Sequence, residues 1–137
     1  MHKTIGIIIL SIYIVLLRSF AAAEYFYQTG KAHKNLEYLR MASVLNPFVS
    51  DYRQGIFEQS DPIDMVSIKA AICLEPLKAV YHMEYGLELL RKPTAKRTSV
   101  SDQLAFHEIA RAYKLMPYST EYRQLDEQYG ILYAGDQ

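Results

Sequence analysis

Cysteine occurs once in these 137 residues, tryptophan not at all, and glycine and proline only six and five times. With Cys73 alone, an internal disulfide framework is excluded. A four-ligand zinc site would have to draw its other three ligands from four scattered histidines. The six glycines never fall into a phosphate-cradling pattern, and no strand signal rises above the helical background. An excess of charge of one sign is also missing. Fifteen lysines and arginines balance fifteen aspartates and glutamates, which argues against a nucleic-acid binder held by overall positive charge. What the chain does have is apolar surface. Half its residues are hydrophobic, enough for one domain to bury a core without disulfide or metal. The twelve tyrosines suit packing between helices, with hydroxyls reaching the surface.

The largest apolar concentration comes first, in MHKTIGIIILSIYIVLLRSFAAAEYF. A short basic lead precedes an uncharged run from Thr4 to Leu17, followed by Arg18 and the tripeptide Ala21-Ala22-Ala23. This layout resembles a secretory signal with a small-residue cleavage site before Glu24, although Arg18 sits awkwardly between core and site. A membrane anchor needs about 20 predominantly apolar residues, which the segment reaches if the helix continues to Ala23 while Arg18 snorkels toward the headgroups. A buried helix of a soluble domain fits the length, but surface helices carry a polar face and this segment has none. The anchor is the preferred reading, residues 1–23, with residues 4–23 in the membrane and a cleaved signal as the rival. Orientation cues conflict: Arg18, Lys31 and Lys34 favour a cytoplasmic domain, while the signal-like layout favours export, which is preferred.

Beyond the anchor, one phrase is written three times. The pattern [L/I]-x-x-A-x-x-L-x-P-x-x-x-x-Y holds Leu39, Ala42, Leu45, Pro47 and Tyr52. It recurs as Ile68, Ala71, Leu74, Pro76 and Tyr81, and again as Ile109, Ala112, Leu115, Pro117 and Tyr122. Three-residue steps put the aliphatic residue, the alanine and the leucine on one side of a helix. Each proline ends that helix and is expected in the first turn of the next. A helix-corner-helix unit cannot bury its apolar face alone, so copies stack and share a core.

This series resembles the second helix of the tetratricopeptide repeat (TPR), over roughly residues 33 to 125. In the first copy Ala23 falls at the repeat's small-residue position and Phe26 at its aromatic one, while Asn35 departs from the usual alanine. The prolines lie 29 and 41 residues apart, around the repeat's period of about 34. The resemblance implies an all-α, TPR-like helical-hairpin solenoid of about three irregular repeats over residues 24–135. Helices are expected near 4–29, 33–45, 47–58, 62–74, 76–91, 101–115 and 118–133. Asp61 and Pro62 are expected to cap and open the fourth, and a capping box in SVSD at 99–102 the sixth. A hydrophobic span running into LNPFVSDYR also resembles the tails of bacterial O-antigen-ligase-like membrane proteins. The catalytic part of that family has no counterpart here, so ligase activity is not implied.

Searches for chemistry end without a catalytic, cofactor-binding or metal-binding residue. HEIAR at 107–111 begins like a zinc-protease helix, but Arg111 stands where the second histidine is required. His82 and Glu84 share a helix yet, two residues apart, face different directions. Cys73, on an apolar helix, reads as inert packing. Two features suit partners. RKPTAKR supplies a basic patch of Arg91, Lys92, Lys96 and Arg97 that could touch anionic headgroups or an acidic protein, or simply form a solvated linker. A solenoid's concave groove is lined by the first helix of each pair, which singles out Arg53, Tyr85 and Arg123 as partner-binding candidates, while Tyr52, Tyr81 and Tyr122 occupy the repeated position and are assigned to packing. Tyr13 and Ser11 are candidates for the side of the anchor that faces other helices.

The expected function is therefore non-catalytic: a membrane-tethered scaffold or accessory subunit that binds protein partners in a larger membrane complex, without nucleic acid. A bacterial inner-membrane type of location, single-pass, with the soluble domain exported, fits this reading. The alternatives are an accessory component of a membrane glycan-transfer enzyme and a cleaved, soluble exported binding module.

Overall fold

The computed structural model describes residues 2–91 and 98–134, which form seven α-helices and no strand. They are α1 (His2–His33), α2 (Leu36–Leu45), α3 (Ser50–Gln59), α4 (Met65–Leu74), α5 (Ala79–Arg91), α6 (Ser99–Leu115) and α7 (Thr120–Ala134). The all-α expectation holds, and each expected segment corresponds to one helix, with α1 running past both ends of 4–29, α3 ending after 58, α6 starting before 101 and α7 ending after 133. The chain divides into two compact units, Met1–Asp64 with α1 to α3 and Met65–Gln137 with α4 to α7. Because α1 passes through residue 23 without a break, the boundary placed there falls inside a single helix.

In the first unit α2 folds back antiparallel along α1. Ser19 of α1 donates its hydroxyl to the carbonyl of Leu45, while Gly30, near the other end of α1, lies against Leu39. The turn between them is set by Lys34 in the left-handed region (φ 51°), which lets the Asn35 amide donate to the Gly30 carbonyl at 2.8 Å. Asn35 then caps α2, its Oδ1 accepting from the amides of Glu37 and Tyr38. The asparagine at this position thus has a local cause. Ala23, Ala42 and Tyr52 form the unit's core, with Phe26, Tyr27, Leu45 and Val49 packed on it.

In the second unit α5 and α6 are antiparallel, and Ala79, Met83, Ile109 and Ala112 form a core flanked by Leu87, Leu90, Leu115, Tyr122, Leu125 and Tyr129. The repeated aliphatic and alanine positions, Leu39 and Ala42, Ile68 and Ala71, Ile109 and Ala112, are all buried. The repeated leucine is less enclosed: Leu45 and Leu115 are half-buried and Leu74 is exposed.

The corners differ from expectation. No proline enters the following helix: α3, α5 and α7 begin three residues after Pro47, Pro76 and Pro117. Pro76-Leu77 and Pro117-Tyr118 are instead the central residues of turns closed by Lys78 N–H to Glu75 O and Ser119 N–H to Met116 O. Proline's fixed φ suits the second position of such a turn as well as it suits a helix start. Asp61 and Pro62 lie in a bend and α4 starts only at Met65, so neither has its expected role. The sixth helix opens one residue earlier than SVSD implied. Thr98 is the cap and Ser101 its reciprocal partner, completing the box with hydroxyls alone.

Candidate functional site

The apolar start of α1 is free on every side. Among the described residues one helix, Thr4–His33, has the length and apolarity to cross a membrane, with a mean hydropathy of 2.3 and its apolar window fully unburied. Exposure of the large side chains continues from Ile5 to Leu17 and reappears at Phe20. The helix changes role at Ser19, which is half-buried against α2, and by Ala23 it is wholly buried in the first unit's core. The expected anchor, residues 4–23, therefore overlaps the packed domain at its last turn. The Ser11 hydroxyl donates to the carbonyl of Ile7 on its own helix, and Tyr13 is exposed.

Beside Ser19 lies the corner between α2 and α3, and its outward residues are apolar: Val44 is 79% and Phe48 78% exposed, and Met41 is exposed one turn back. Phe26, Met41, Val44 and Leu45, with Glu37 and Arg40, line an open groove on the same side of the unit. Glu37 and Arg40 pair with each other at 2.9 Å. Sequence reading missed this surface. The available signal was the residue after each repeated proline, always large and apolar, as Phe48, Leu77 and Tyr118 are. In the second unit Leu77 and Tyr118 are likewise exposed.

The partner-binding candidates are not brought together as a set. Arg53 belongs to α3 of the first unit and is half-buried; Arg123, on α7 of the second, is exposed. Tyr85 is only 5% exposed and lies under Lys69, whose Nζ is 5.5 Å from the ring centroid, so packing corrects its assignment as a contact residue. Of the basic patch, Arg91 is exposed and pairs with Glu88 at 3.0 Å, whereas Lys92, Lys96 and Arg97 lie outside the described residues. Cys73 is exposed rather than packed. Among the described residues, no group of three or more histidines, cysteines, aspartates or glutamates is placed to hold a metal ion.

Two polar contacts hold the units' interiors. In the first, Tyr52 donates to Glu24 at 3.0 Å and its ring lies 4.8 Å from that of Tyr27. Burial, then the hydrogen bond and charge of Glu24, push its hydroxyl up to about 12. Burial, and then Glu121 and Glu84, raise Tyr122 as well.

In the second unit, wholly buried His82 bridges two elements: Nε2 lies 2.8 Å from the carbonyl of Pro76, and Nδ1 2.5 Å from Oε2 of Glu108. A carbonyl only accepts, so Nε2 carries a hydrogen. The short contact to Glu108 then needs one proton between imidazole and carboxylate. Both residues stand out in the sequence, His82 beside Glu84 and Glu108 in HEIAR before Arg111, but neither local neighbour is the partner. The true partner is 26 residues away, beyond any local pattern.

No protein-family model matches the chain, and no curated protein matches it in sequence.

Proposed function

We propose that the protein is a non-catalytic, membrane-tethered scaffold or accessory subunit, a TPR-like helical module that binds partner protein in a membrane-associated assembly. The observation that carries this reading is α1, an exposed apolar helix continuous with the packed core of the domain behind it. A rigid join of this kind confines the domain to the membrane surface and raises its effective concentration toward membrane partners. Export with cleavage before Glu24 fits less well, because it would remove Ala23 from the core and Ser19 from its bond to Leu45. Arg123 and Arg53 remain the polar candidates for partner contact, and the groove beside Met41 and Val44 is the apolar one.

Gentle detergent extraction of the full chain, with mass analysis of the chain and everything that travels with it, tests the proposal. A full-length chain with stoichiometric membrane partners is the expected result. If a polytopic glycan-transfer enzyme co-purifies, the chain is its accessory component. A lone chain beginning near Glu24 would overturn the tethered reading.

A further inference from the structure

We infer that the corner between α2 and α3 enters the lipid bilayer beside α1, so that Val44 and Phe48 rest in the acyl-headgroup boundary and the first unit is partly embedded rather than held off on a stalk. The inference rests on α1 spanning the membrane. Its first support is length. At about 1.5 Å per residue the exposed stretch that follows the charge of Lys3, from Thr4 to Arg18, covers about 22 Å, short of a hydrocarbon core of about 30 Å. Reaching that thickness draws in the next turn, to about Ala23. That turn is not free: Ser19 is bonded to the Leu45 carbonyl, so α2's end travels with it. Ser19 then lies about 6 Å inside the boundary set by Ala23, within the depth of about 5–10 Å at which interfacial apolar surfaces settle.

Chemistry agrees with position. From Met41 to Ser50 the chain carries no charge, with Arg40 before it and Asp51 after it. Within that stretch the two most exposed large apolar side chains are Val44 and Phe48, at 79% and 78% exposure. The backbone can tolerate such a setting, because the Phe48 amide lies 3.4 Å from Asn46 Oδ1 and the Asn46 amide donates to Ala42 O. Val49, the N-cap of α3, makes no side-chain cap bond, which suits a shallow position at the hydrated headgroup level rather than the hydrocarbon centre.

The test uses the full-length chain with Cys73→Ser and one new cysteine at a time: Phe48→Cys at the corner, Glu58→Cys about 12 Å further along α3, and Val15→Cys in the span. Each is labelled with an environment-sensitive dye and reconstituted into phosphatidylcholine–phosphatidylglycerol vesicles containing nitroxide-labelled lipid. Blue-shifted emission and lipid quenching at 15 and 48, with neither at 58, is the expected result. Phe48 is a surface residue, so its replacement leaves the core intact. Quenching at 15 but a water-exposed dye at 48 overturns the inference and leaves the span standing. Protection of position 48 from both lipid and aqueous quenchers overturns it in favour of a second copy covering the corner. An unquenched dye at 15 removes the span itself and the inference with it.

Discussion

His82 and Glu108 make the second unit's interior more specific than its apolar residues alone require. A histidine with both ring nitrogens engaged, one on the Pro76 carbonyl at the corner and one on α6, fixes the position of α5 relative to both. Removing one member leaves the other buried without its counterpart, and breaking a buried pair in this way costs about 3–5 kcal/mol. Glu108→Ala and His82→Ala should each lower unfolding stability by roughly that amount, His82→Ala also losing packing volume. Replacing both by leucine should recover a large part of the loss, since paired apolar substitutes for a buried ion pair are often close to neutral. Urea unfolding of the two single variants and the double variant gives the coupling directly. Additive losses would mean that the 2.5 Å contact contributes nothing beyond two separate residues.

At the scale of the helices, much was legible because helix periodicity and capping are local. The Leu39–Ala42, Ile68–Ala71 and Ile109–Ala112 spacing pointed to buried faces, and those faces are buried. Corner geometry was not legible, because Pro47, Pro76 and Pro117 satisfy their steric demands equally in a turn or in a first helical turn. The burial of Tyr85 is illegible for a related reason: tyrosine is favoured both at contact surfaces and between helices, and only tertiary packing distinguishes them. Gly86 shows the same dependence. It reads as a mild defect in a helix, since glycine is about 1 kcal/mol less favourable than alanine there. In the fold, a Cβ at 86 would stand 2.9 Å from the Ala105 carbonyl oxygen and 2.8 Å from Ile109 Cγ1. Ile109 is 1% exposed, enclosed on all sides, and the carbonyl belongs to α6's backbone, so neither neighbour gives way freely. Gly86→Ala should therefore destabilise the second unit by about 1–3 kcal/mol, the usual cost of overpacking, despite alanine's higher helix propensity. Gly6→Ala, with nothing within 4 Å, is the matched control and should leave stability unchanged or higher. Thermal unfolding of both variants decides it, and a Gly86→Ala protein as stable as the parent would show that α5 and α6 can part at no cost.

For the molecule as a whole, the question is whether α1 serves one task or two. Its first half offers apolar side chains to the surroundings, while its second half supplies Ala23, Phe26 and Tyr27 to the first unit's packing. The two tasks separate by substitution. An arginine near the middle of a membrane span costs about 2.5–3.5 kcal/mol on insertion scales, yet at Ile9, which is 62% exposed, it meets no packed neighbour in the domain. Ile9→Arg should therefore shift the full chain from the carbonate-resistant membrane fraction toward the soluble or loosely held one. Far-UV circular dichroism and the unfolding midpoint of the extracted protein should stay near those of the parent, because Ser19 and the residues after it keep their contacts. Ala23→Arg is the opposite case: it places a charge in the core beside Ala42 and Tyr52, and should lower the midpoint whatever happens to fractionation. If Ile9→Arg stays in the membrane fraction as firmly as the parent while its domain remains folded, α1 is not the anchor, and the protein is held at the membrane, if at all, by a partner.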